Sequence, residues 1–374
     1  MDNLFYELVR VSIGKQDYLS RHPDQQEWYD LFKLAQKQSL VGVCFVGIQK
    51  LRKNSVASEI PRPIFMQWLA FATKIQQRNE LLDNKCNEIQ TFLAKEQIKF
   101  CILKGQGIAR YYNKNLVGFR QSGDIDIWVN GGFTNIMSFL SKKWDIDDIN
   151  EIHVHWPFFS DVDVEVHFKP SFLSNWIANA RLQAWFNAQK DAQFKHINKE
   201  GLHVPTHDFN QIFLLLHIYR HLFGEGIGLR QIMDLYFACQ PISMLEEKLL
   251  KSFGLFNFWK AINWVMWHVF EAEDTLSKKF SYRNTNREIG SFILSEIEQT
   301  GNFGKSDDRF KLNRKSPHFY RFCQMTTSKM RFVKYFPIEV LWQPIDNIRR
   351  FINVRLMRRY IEKIKNNRSL KFEI

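Results

Sequence analysis

Paired cysteines, long apolar runs and the common nucleotide-binding glycine signatures are all missing from this sequence. The 374-residue chain has five cysteines, Cys44, Cys86, Cys101, Cys239 and Cys323, scattered and without any C-x-x-C pair. An odd, dispersed set argues against a disulfide scaffold and suits reduced thiols, so a cytoplasmic location is expected. The longest apolar stretch, LFNFWKAINWVMWHVF at 255–270, is interrupted by Lys260, Asn263 and His268. It falls short of the ~20 residues of a membrane-spanning helix. The opening MDNLFYELVRVSIGK carries acids and no sustained apolar core, unlike a secretory signal. The absence of G-x-x-x-x-G-K-S/T, G-x-S-x-G and G-x-G-x-x-G removes P-loop, hydrolase-elbow and Rossmann readings. There is no internal repeat and no low-complexity tract.

What is present is a globular composition, 45% hydrophobic and 15% aromatic, long enough to bury a sizeable core. The formal charge is +13, and its placement matters more than its size. From Arg309 to the end there are 17 Lys and Arg against 4 Asp and Glu, so the final segment carries the whole excess. A basic segment of this kind fits an acidic partner such as RNA, a nucleotide or an anionic membrane surface, or else a solvated helix face.

Texture along the chain predicts an α+β protein: a small mixed-sheet core with helical N-terminal and C-terminal regions. Four segments are expected. Residues 1–97 form a helical region, in which Phe65, Trp68, Leu69, Ala72, Ile75, Leu82, Cys86, Ile89 and Leu93 make one apolar stripe broken near Pro61 and Pro63. Residues 98–205 form an α/β core. It opens with the short apolar run IKFCILKG, a short helix over QGIARYYN and the strand DIDIWV. A turn into a helix over GGFTNIMSFLSKKW follows, then a hairpin over EIHVHWPFFSDVDVEVHF. Residues 206–308 return to helices. Residues 309–374 form the basic segment, whose end is amphipathic through Ile345, Ile348, Ile352, Leu356, Tyr360 and Ile364. The tract 272–318 reads as polar and loop-rich around a short helix.

Chemistry concentrates in the α/β core. On the strand DIDIWV, alternation puts Ile125, Ile127 and Val129 on one face and Asp124, Asp126 and Trp128 on the other. Two neighbouring carboxylates repel unless solvated, sharing a proton or holding a cation. On DVDVEVHF, Asp161, Asp163, Glu165 and His167 share a face opposite Val162, Val164 and Val166. If the two strands are neighbours, a third carboxylate reaches Asp124 and Asp126. Three carboxylates suit a hard divalent cation that keeps positions for phosphate oxygens.

The run ILKGQGIARYYNKNLVGFRQSGDIDIWV, with VDVEVHF and GIGLRQIMDL after it, resembles the nucleotidyltransferase superfamily of the DNA polymerase β type. It is most similar to a poorly characterised bacterial group with an LKG…R…DIDLLV…DLHW pattern. The resemblance spans roughly residues 40 to 345 in layout, with its specific motifs between 102 and 168. It implies a divalent cation, Mg²⁺ or Mn²⁺, an NTP donor and an acceptor it does not identify. Carried over, Gly105 at a strand-to-helix turn faces the triphosphate, Asp124 and Asp126 bind metal, and a carboxylate on the neighbouring strand completes the triad. EVH against the group's DLH favours Glu165, with Asp163 as the other candidate. Gln106 stands where many members have serine, and the stretch from Gly105 to Asp124 is longer than in compact members. Lys104 and Arg120 are the candidates to supply positive field in place of a serine contact. The same layout occurs in antitoxin-paired nucleotidyltransferases that modify tRNA, so the acceptor ranges from a small molecule to an RNA end or a protein.

Two functions are therefore expected as alternatives. One is metal-dependent transfer of a nucleoside monophosphate from an NTP. The other is a catalytically silent scaffold that grips RNA or an acidic surface through 309–374. His153, His155 and His167 lack any established zinc spacing, and His217 and His221 lack the glutamate of H-E-x-x-H. Arg230 and Asp234 are spaced for an i,i+4 helix pair, with a substrate-side role as the sharper reading.

Overall fold

Apolar residues at three- and four-residue steps build most of the chain into helices, and a short alternating tract in the middle supplies the only sheet among the described residues. The structure is a computed structural model that describes residues 3–53, 60–240, 245–271, 286–307 and 327–372, with side chains to residue 366. Cys323, much of 272–318 and the start of the basic segment lie outside the described residues.

Four helices open the chain: α1 (Asn3–Ile13), α2 (Gln25–Lys37), α3 (Val41–Lys53) and α4 (Arg62–Lys95). Helix α2 starts at a capping box in which Asp24 accepts from the Glu27 amide and Glu27 accepts from the Asp24 amide, each at 2.8 Å. Pro63 falls in the first turn of α4, where its missing N–H costs nothing. The expected stripe of α4 is buried at Trp68, Ala72, Leu82, Cys86, Ile89 and Leu93.

Next come β1 (Phe100–Ile102), α5 (Gln106–Ala109), β2 (Ile125–Val129), α6 (Gly132–Leu140), β3 (His153–His155) and β4 (Val164–His167). The sheet order is β1-β2-β4-β3. β1 pairs antiparallel with β2, β2 parallel with β4, and β4 antiparallel with β3, which is the expected hairpin. The parallel pair needs a long crossover. Residues 130–163, including α6 and β3, provide it.

Helices then return as α7 (Trp176–Lys195), α8 (His207–Gly224), α9 (Leu229–Ala238), α10 (Glu247–Ser252), α11 (Phe256–Phe270), α12 (Arg287–Thr300) and α13 (Pro337–Phe372). Among the described residues no helix is long and apolar enough to cross a membrane. The architecture is α+β, with helices flanking one small mixed sheet.

The chain forms two compact units, each from three stretches: Met1–Asp83, Ile108–Ser122 and Leu214–Lys311 in one, Asn84–Gly107, Gly123–Phe213 and Leu312–Ile374 in the other. These units cut across the four consecutive segments expected from texture, because α4 and α8 each contribute residues to both. In the first unit α1 and α3 meet so closely that a Cβ on Gly47 would stand 2.4 Å from Ser12 Oγ. The second unit holds the whole sheet. There Trp128 is anchored by Phe194 of α7, 4.7 Å between ring centres, and stacks on Phe209 of α8.

Candidate active site

The site lies where β1 ends and β2 and β4 begin. In the parallel register Asp126 stands directly beside Glu165, and Trp128 beside His167. Across the hairpin His153 pairs with His167 and His155 with Glu165. Alternation therefore lines one sheet face with Asp126, Glu165, His153, His155 and His167. Along β2 that face changes character. Trp128 is packed under helices, whereas Asp124, one residue before β2, is half-buried. Asp124, Asp126 and Glu165 each offer a carboxylate oxygen, all within 4.8 Å of one another. Asp163 is outside this group: its side chain is 80% exposed, with His155 Nε2 3.6 Å away.

Asp126 is the most constrained member, 1% exposed. Its Oδ1 lies 2.8 Å from Lys104 Nζ and 2.9 Å from His167 Nε2. Its Oδ2 is buried and has no hydrogen-bond partner. A buried carboxylate oxygen without a partner is costly, and an oxygen-seeking divalent cation between the three carboxylates is the chemistry that removes the cost. The donor set thus fits a hard cation.

Charges in the cluster hold one another. Burial alone would raise the Asp126 carboxyl, but Lys104 beside it and the His167 hydrogen bond keep it far below the usual carboxylate range. Burial raises Glu165, with Asp126 adding to the effect against the opposing His167 contact. Burial would discharge His167, yet its hydrogen bonds to Asp126 and Glu165 raise it. Burial likewise opposes the Lys104 ammonium, and Asp126, Asp124 and Glu165 together overcome it. His153 Nδ1 lies 3.0 Å from the same Glu165 oxygen that His167 Nε2 approaches at 3.4 Å. His153, Glu165 and His167 are a second group whose donor atoms converge.

Gly105 follows β1 at the turn into α5 with φ +55°. A Cβ there would sit 3.3 Å from the Asp124 carbonyl oxygen, so the turn passes tightly along the start of the D-x-D strand. Gln106 is buried at the first position of α5.

Arg120 is placed differently. It belongs to the other compact unit, where it is 2% exposed and forks onto Asp234, Nε to Oδ1 at 2.7 Å and Nη2 to Oδ2 at 2.8 Å. Its Nη1 donates to Ser122 Oγ, and Tyr112 Oη donates to Asp234 Oδ1 at 2.7 Å. Arg230 Nη1 is 3.4 Å from Asp234 Oδ2, the i,i+4 contact its spacing suggests. Burial works against the Asp234 carboxylate, but Arg120 holds it below its ordinary value. In this structure the Arg120 fork is filled by Asp234 and Ser122. The pairing escaped sequence reading because its partners are 114 residues apart. The partners of Asp126, Lys104 and His167, are legible in the sequence as neighbours of the motif but not as its direct contacts.

A glycine turn beside three carboxylates, two on strands and one just before β2, in a small mixed sheet fits a transferase that handles phosphate esters. The profile of the uncharacterised nucleotidyltransferase family matches residues 24–252, more than half of the chain and all of the residues just described, and the chain belongs to that family. No curated protein and no solved structure matches it.

Proposed function

We propose that the protein is a metal-dependent nucleotidyltransferase of the DNA polymerase β type that moves a nucleoside monophosphate from an NTP to an acceptor hydroxyl, phosphate or RNA end. The observation that carries this reading is the buried, unpartnered Oδ2 of Asp126 beside Asp124 and Glu165. These three side chains are the proposed holders of Mg²⁺ or Mn²⁺. When bound, such a cation neutralises the triphosphate and stabilises departing pyrophosphate. In the reaction the acceptor oxygen bonds to the α-phosphorus, the bond to pyrophosphate breaks, and a carboxylate of the triad takes the acceptor's proton.

The remaining roles follow from placement. Lys104, now seated on Asp126, is a point charge able to exchange a carboxylate oxygen for a phosphate oxygen. Gly105 and Gln106 form the turn that lets the triphosphate approach backbone. His167 positions Asp126 by occupying Oδ1. Arg120 is assigned through Asp234 to holding the loop that leads into β2. Glu165 is preferred to Asp163 as the third ligand because it alone converges with both aspartates. The scattered cysteines, buried at Cys44, Cys86, Cys101 and Cys239, support a reducing, cytoplasmic setting.

The test is incubation of purified protein with each labelled NTP, Mg²⁺ and cell extract. Wild type should label an acceptor, and Asp124→Ala/Asp126→Ala should lower the rate by at least about 10²-fold, the scale of losing several kcal/mol of charge stabilisation. Equal labelling by the two proteins would sink the reading.

A further inference from the structure

Helix α13 is turned inside out. Its polar side faces the protein: Glu339 accepts from Ser174 Oγ at 2.8 Å, Asp346 is 1% exposed, and Arg349 and Arg350 both reach Glu151. Its apolar side faces away. Leu341, Ile345, Ile348, Phe351, Ile352 and Leu356 range from 48% to 69% exposed. Five of them, Leu341, Ile345, Ile348, Ile352 and Leu356, recur at steps of four, three, four and four, one continuous stripe. Arg355 and Arg359 continue the stripe toward the C-terminus, and Arg355, Arg358, Arg359 and Lys363 are all exposed. Apolar residues turn inward near its two ends, with Val340 and Ile361 buried and the Tyr360 ring 5.7 Å from that of Phe133.

We propose that this outer face of α13 lies in the plane of an anionic lipid bilayer. Aliphatic side chains enter the acyl boundary, and the guanidinium groups beside them stay at the lipid phosphates. The stripe from Leu341 to Leu356 is roughly 22 Å long, a length for lying on a membrane and not for crossing one. The chemistry of the patch selects this partner over two others. RNA would satisfy the arginines but gives no reason to expose five aliphatic residues with one aromatic ring among them. A second copy would press a surface of the same sign against itself, between chains that each carry +13. An anionic bilayer answers both the apolar and the cationic halves.

The experiment is co-sedimentation of the full-length protein with vesicles of phosphatidylcholine alone and of phosphatidylcholine mixed with phosphatidylglycerol. Binding should be confined to the mixed vesicles and weaken as salt rises. Ile348→Gln/Ile352→Gln should lower the apparent affinity at least roughly tenfold without changing the melting temperature, because both side chains are solvent-exposed in the fold. Arg355→Gln/Arg359→Gln should lower it by roughly ten- to thirtyfold. No vesicle binding, equal binding to both vesicle types, or indifference to both variant pairs would overturn the proposal. So would concentration-dependent dimers abolished by the isoleucine pair, or salt-sensitive binding of an RNA hairpin lost only in the arginine pair, if either occurred without vesicle binding.

Discussion

At Asp126 the Lys104 ammonium and the His167 ring nitrogen share one oxygen while the other oxygen has no hydrogen-bond partner, and that asymmetry sets the residue-scale expectations. Glu165→Gln should remove transfer activity by at least about 10²-fold, while Asp163→Asn, on a largely exposed side chain, should change it less than about threefold. Comparing single-turnover rates of the two variants decides between the carboxylates, and the reverse order would reassign the third ligand to Asp163. Gly105→Ala forces φ +55° on a residue with a Cβ and crowds the Asp124 carbonyl. It should destabilise the fold by about 1–2 kcal/mol in urea unfolding. Gly123→Ala, where a Cβ meets nothing within 4 Å, serves as the control and should stay within about 0.5 kcal/mol of wild type.

Among elements, the strands and the terminal helix differ in what sequence could say of them. The D-x-D and E-x-H alternations place the site's carboxylates on one face because period 2 is local, and the parallel β2–β4 pairing then brings them together. The same locality explains the limits. Periodicity finds the stripe on α13 but not which way it points, since that depends on Glu151, Ser174 and the other groups that claim its polar side. Helix α7 is not separately expected from the sequence: its buried apolar residues, Ala178, Leu182, Phe186 and Phe194, are interleaved with half-buried and exposed positions, and part of its packing goes to the Trp128 ring. The fork of Arg120 on Asp234 ties the loop before β2 to α9, and no local pattern announces it. Asp234→Asn should cost about 3–5 kcal/mol near neutral pH, because it leaves a buried guanidinium uncompensated. Asp234 has its carboxyl held below the ordinary 3.8, so the stability it contributes is present above that value and lost as pH falls through the lower one. The gap between wild type and variant in urea unfolding should therefore shrink as acidity increases below about pH 4. A gap independent of pH would refute the ion-pair account.

For the whole molecule, family membership and the α+β architecture agree with the expectations raised by residues 102–168, while the units themselves became visible only in three dimensions. The sheet and its carboxylates belong to one unit and the Arg120–Asp234 pair to the other, although Arg120 and Asp124 are four residues apart. If the triad holds a divalent cation, saturating Mg²⁺ at about 100 times its Kd should stabilise the native protein by about 2.7 kcal/mol. Scanning calorimetry of wild type with Mg²⁺ or with EDTA should show a raised melting temperature that Asp126→Asn lacks. A rise of equal size in both proteins would locate the cation elsewhere. The interleaving of the units also bears on how the protein is made. Each takes its third stretch from beyond residue 213, so a nascent chain cannot complete either one until Leu214–Lys311 and then the residues after it have left the ribosome. The four strands, all within residues 100–167, emerge well before the α13 residues that complete their unit. Synthesis of this protein is thus a case for chaperone protection and late, concerted folding, not for a succession of finished domains.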